Sequence, residues 1–61
     1  MENYRFTAFE KTGETLFDEI WTFENDKDAK LQGQLQINEK GVSEKTHRLV
    51  NPIGKLILFH I

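Results

Sequence analysis

His47 and His60 are the side chains of this sequence best suited to chemistry, since imidazole serves both as a base near neutral pH and as a metal ligand. A hairpin register set by Gly54 would place His47 opposite Phe59 and His60 opposite Thr46. Side chains alternate faces along a strand, so the two rings are expected to point in opposite directions. A zinc site needs three or four converging ligands, and no metal site is read here. Ser43 is the only serine; Glu44 stands beside it and no base is placed to activate it, so it reads as a linker residue. Asp18 and Glu19 are adjacent on a predicted strand and face opposite sides, which rules out a paired-carboxylate site. Asp26 and Asp28 lack the frame of a calcium loop. Gly33 belongs to no phosphate-binding glycine-rich loop and reads as a point of close approach. No catalytic residue, cofactor or metal is expected, and the chain does not read as an enzyme.

The elements around these residues are organised by the stretch from Glu24 to Gly41. Asn25 suits an N-cap, and Asp26 and Asp28 suit the positive end of a helix dipole. Gly41 suits a left-handed C-terminal stop. Lys, Gln, Leu and Ala favour helix. Against this, Leu31, Gly33, Leu35 and Ile37 alternate with Gln32, Gln34, Gln36 and Asn38, which is the period of a strand. A helix here would be poorly amphipathic, with Ala29, Gly33, Ile37 and Lys40 on one side and Leu31 and Leu35 nearly opposite. Helix over about 26–40 is the expectation, with strand as the competing reading.

A hairpin is expected on either side. The first joins strands at about 3–10 and 14–23. A two-residue turn at Thr12-Gly13 would force a positive φ on a β-branched residue, so a three-residue loop with Gly13 as the bulge residue is preferred. In that register Glu10 faces Glu14, Ala8 faces Leu16, Phe6 faces Asp18 and Tyr4 faces Ile20. Tyr4, Phe6, Ala8, Leu16 and Ile20 then share one face, and Phe9, Phe17, Trp21 and Phe23 share the other. A two-residue turn would regroup these side chains but leave large apolar residues on both faces. The second hairpin joins strands at about 46–50 and 55–61 through Asn51-Pro52-Ile53-Gly54, a strong turn signal. Polar Thr46, His47 and Arg48 suit a sheet edge. The unbroken run Leu56–Phe59 reads as a central strand covered on both faces. No internal repeat is read. The expectation is a single α+β domain over 1–61, in the order ββαββ, with a four-stranded antiparallel sheet and one helix packed on one face.

Composition bounds the rest. Sixty-one residues form one domain with a small core. There is no cysteine, which fits a reducing compartment. Met1 is not followed by the apolar stretch of a signal peptide, and no apolar run approaches the roughly 20 residues of a membrane span. A soluble, cytoplasmic protein is expected. The net charge of −2 is unevenly spread, acidic over residues 1–39 and basic over 40–61.

One helix covers one face of a sheet. The face bearing Phe9, Phe17, Trp21 and Phe23 is therefore the candidate interaction face, with a protein partner, possibly a second copy of the chain. The alternative is a sheet that stacks single-stranded nucleic acid on those aromatics. Their neighbours Glu10, Glu14, Glu19 and Glu24 would repel phosphate, which makes it the weaker reading. No membrane and no small-molecule substrate are inferred. The pattern FTAFEKTGE, LFDE, END, EKG, SEKTHR and GKLILFH resembles the YhzD-like family of small bacillus-type proteins over nearly the whole length. That resemblance implies this fold, with a helix in the middle stretch, and brings no activity with it.

Overall fold

The computed structural model describes residues Met1–Ile61. The elements are β1 (Glu2–Phe9), β2 (Thr15–Phe23), α1 (Asp26–Lys40), β3 (Thr46–Val50) and β4 (Leu56–His60). The strands form one antiparallel sheet in the order β2-β1-β3-β4. β2 and β3 both run antiparallel to β1, so they are parallel to each other. Parallel strands need a long crossover, and α1 supplies it. No helix of the chain is long and apolar enough to cross a membrane.

The middle stretch is a helix, and its ends explain why. The Asn25 side chain accepts from the Asp28 N–H at 2.8 Å. At the other end Gly41 adopts φ 72°, and its N–H donates to the Asn38 carbonyl. Val42 N–H reaches the Ile37 carbonyl, and both side chains are buried, completing a Schellman stop with its hydrophobic contact. The buried residues of α1 are Ala29, Gly33 and Ile37, spaced as one stripe of a helix. Leu31 and Leu35 form a second stripe in solvent. The apparent strand period is these two stripes read together. Gly33 lets the helix sit close to the sheet. A Cβ there would lie 2.8 Å from Leu49 Cδ2 and 3.3 Å from Leu58 Cδ1.

Both turns have the same construction. Glu10 N–H donates to the Glu14 carbonyl at 2.8 Å, and Gly13 N–H to the Glu10 carbonyl at 2.9 Å. Asn51 N–H donates to the Lys55 carbonyl at 2.9 Å, and Gly54 N–H to the Asn51 carbonyl at 2.9 Å. Gly13 and Gly54 have φ 89° and 87°, the left-handed conformation this loop demands.

Shortly beyond each turn the sheet carries a second irregularity, and it overturns the register expected from the turns alone. Phe9 pairs with Thr15, but Ala8 pairs with Phe17, leaving Leu16 as an extra residue in β2. Val50 pairs with Leu56, but Leu49 pairs with Leu58, leaving Ile57 extra in β4. An inserted residue moves every later side chain of that strand to the other face. Tyr4 therefore faces Trp21, not Ile20, and Phe6 faces Glu19, not Asp18. His47 faces His60, not Phe59.

The strand order also differs from expectation. β3 is central and β4 is an edge. Of the three polar residues that suggested an edge, Thr46 and Arg48 lie on the face away from the helix, while His47 points inward with Leu49 and both are buried. The unbroken apolar run of β4 reflects its bulge. Ile57 and Leu58 both pack toward the core, while Leu56 and Phe59 are left exposed.

Candidate interaction face

The register places the expected aromatic face in two different environments. Trp21 and Phe23 lie under the helix, in the core. Trp21 stacks on Phe6 at 4.2 Å between ring centroids, and Phe23 meets Tyr4 edge-on at 5.3 Å. Phe17 is half-buried on the same side, with the Lys40 ammonium 4.6 Å from its ring centre. Only Phe9 remains on the open face, half-buried. The physical reason is the bulge at Leu16, which turns Phe17, Trp21 and Phe23 inward together.

Polar groups fix this inner layer. Trp21 Nε1–H donates to Glu19 Oε1 at 2.8 Å, and Lys40 Nζ lies 3.4 Å from the same oxygen. The indole hydrogen bond, and then Lys40, hold the Glu19 carboxyl below its ordinary pKa. At the far end of the sheet the buried Tyr4 hydroxyl donates to Asp26 Oδ1 at 2.7 Å. Burial, and then that bond and the Asp26 charge, push the phenol up to about 12. Asn51 Nδ2 donates to both Asp26 oxygens, while Asn51 Oδ1 accepts from the Ile53 and Lys55 N–H groups. One side chain thus ties the second turn to the start of the helix.

The opposite face has no helix over it, and its two halves differ. Over β1 and β2 it is polar. Arg5 donates to both oxygens of Asp18 at 3.1 and 2.9 Å, in a solvent-exposed fork. That hydrogen bonding raises the Arg5 pKa and lowers that of Asp18. Ile20 is the exposed apolar residue of this half, at 62 %. Over β3 and β4 apolar side chains surround Arg48. Phe59 is 61 % exposed, Leu56 44 % and Ile61 93 %, with half-buried Val50 beside them. Arg48 stands directly opposite Phe59 and has no ion-pair partner.

Reading the sequence missed Leu56 and Phe59 as face residues. The signal is the unbroken run at 56–59, which is too apolar for a strand with one solvated face and so reads as cover on both sides.

These features define a small α+β domain in which a four-stranded sheet has one face sealed by a helix and the other uncovered. The chain belongs to the YhzD-like family, whose model, described as YhzD-like protein, matches residues 1–61. It is 45 % identical over 60 residues to a Bacillus subtilis (strain 168) protein described as uncharacterized protein YhzD, spanning 98 % of each chain. No solved structure matches it.

Proposed function

We propose that this domain is a protein-interaction module that self-associates through the open face of its sheet, centred on Phe59, and that it acts by binding and not by catalysis. One observation carries the reading. The helix occupies one face, and on the other Phe59, Leu56 and Ile61 are exposed together at the β4 end. Soluble monomers rarely keep a contiguous apolar patch larger than a few hundred Å² in solvent. A chain of this size also has little core of its own, and a second copy would enlarge it. Charge permits the pairing: Arg5 and Asp18 neutralise each other, leaving Arg48 as the one charged residue of the face without an ion-pair partner. The absence of cysteine suits a reducing, cytoplasmic setting.

Light scattering and thermal melts across a hundredfold dilution test this. A dimeric mass is expected at the higher concentration, with a Tm that falls on dilution, because association stabilises by mass action. Phe59→Lys should give a folded monomer. A monomeric wild-type mass with a concentration-independent Tm would end the self-association reading.

The placement of Arg48 opposite Phe59 favours a second reading, single-stranded nucleic acid stacked on one ring beside one cation. Salt-sensitive, sub-micromolar binding of an oligonucleotide, weakened by Arg48→Ala, would put this reading first.

A further inference from the structure

The bulge at Ile57 brings the two histidines to directly opposed positions on β3 and β4. Their ring centroids are 5.9 Å apart, and the planes are tilted by 32°. His47 is buried, and its Nδ1 lies 2.8 Å from the Lys45 carbonyl oxygen and 3.1 Å from that of Val42. Both neighbours can only accept, so Nδ1 carries the hydrogen and donates it. In the neutral ring the lone pair then sits on Nε2. No buried side-chain nitrogen or oxygen of the molecule lacks a partner, and Nε2 of His47 has none within the chain. It therefore reaches solvent. His60, its cross-strand neighbour, is exposed.

A ring nitrogen anchored on backbone carbonyls, with the other nitrogen free, is how proteins orient a metal-binding imidazole and fix its tautomer. We propose that His47 and His60 form a bidentate imidazole site for a divalent transition ion of the zinc, nickel and copper class, which imidazole ligands suit. His47 is the fixed ligand. His60, exposed on the edge strand β4, is the ligand that closes on the ion. No third His, Asp or Glu side chain joins the pair, so water completes the coordination and the affinity is modest. The site lies on the helix side of the sheet. It is separate from the open face and does not depend on that face binding anything.

The test is a titration of the tag-free chain with Zn²⁺ alone and with Ni²⁺ alone, followed by calorimetry and by the histidine ring signals in NMR. Saturable binding of one ion per chain is expected, with the ring signals of both histidines shifting together. His60→Gln alters an exposed residue, so the fold should persist, and affinity should drop at least about tenfold. Phe59→Lys should leave binding unchanged, which separates this site from the proposed interaction face. Absence of saturable binding, or unchanged affinity in His60→Gln, would overturn the proposal.

Discussion

The two hairpins share one backbone plan and little sequence. Each has a three-residue loop closed by a left-handed glycine, and each has one extra residue in the returning strand just beyond it. Their pairing across β1 and β3 is centred on Thr7 and Arg48, so the two units sit as if related by a local two-fold axis there. Aligned on their turns from Arg5 and from Thr46, the segments share only Gly13 with Gly54 and Ile20 with Ile61. The repetition is geometric and leaves no repeat in the residues.

Their side chains assign them different tasks. The first hairpin places Tyr4, Phe6, Ala8, Trp21 and Phe23 in the core and shows solvent the Arg5–Asp18 pair. Its returning strand, β2, is an edge protected by charge. The second hairpin commits less to the core and turns Leu56 and Phe59 outward on the other edge. Charged edges resist further pairing and apolar ones invite it. Asp18 and Phe59 occupy equivalent places in the two units, so one position holds a solvating charge in the first and a contact ring in the second.

The largest contrast is expected from one aromatic in each unit. Trp21→Ala should cost about 3–5 kcal/mol, because it empties the space stacked on Phe6. A chain of this length has a total stability on the order of 3–9 kcal/mol, so the variant should lose a large share of it. Phe59→Ala should change the stability of the monomer by no more than about 0.5 kcal/mol. Urea unfolding followed by circular dichroism, at a concentration where the chain is monomeric, checks both. Equal losses at the two positions would erase the division of labour.

A smaller difference is expected at the first position of the two turns. Asn51→Ala removes the acceptor for two backbone N–H groups and the link to Asp26, and should cost about 1–3 kcal/mol. Glu10 stands at the matching place, and its side chain contributes only a partly exposed ion pair with Lys45. Glu10→Ala should cost less than about 1 kcal/mol. Similar Tm changes in the two variants would mean that Asn51 does not join turn and helix as described.

The smallest effect is the pH response, and its asymmetry is diagnostic. The groups displaced from their ordinary values, Tyr4, Arg5, Asp18 and Glu19, all lie in the first hairpin. Asp18 and Glu19 are lowered from 3.8 and 4.5, so their contribution is complete above those values. It is lost as pH falls through the depressed ones. Tyr4 is raised from 10.0 to about 12, so its contribution is complete below pH 10 and lost as pH climbs toward 12. Melts across this range should show Tm falling at both extremes. Tyr4→Phe should remove the part of the alkaline fall due to this phenol, and Asp18→Asn should flatten the acid limb. An alkaline limb unchanged in Tyr4→Phe would show that the Tyr4–Asp26 bond does not carry it.

Local chemistry in the sequence determined much of this architecture. Asn25 and Gly41 bounded the helix, because capping satisfies backbone groups within a few residues. Gly13 and Gly54 announced the loops, because only a residue without Cβ takes a left-handed conformation freely. The order ββαββ followed from these punctuation marks. The two bulges, the strand order and the covered face were decided only in the tertiary structure. Turn residues cannot reveal an extra residue placed beyond the turn, because Leu16 and Ile57 carry no local signal of their own. What selects them is the core: without the extra residue, Trp21 and Phe23 would leave the helix side and Ile20 would enter it. That choice depends on α1 pressing Gly33 to the sheet, a contact between segments far apart in the chain. The same packing took Trp21 out of the candidate face, put Phe59 into it, and set His47 beside His60.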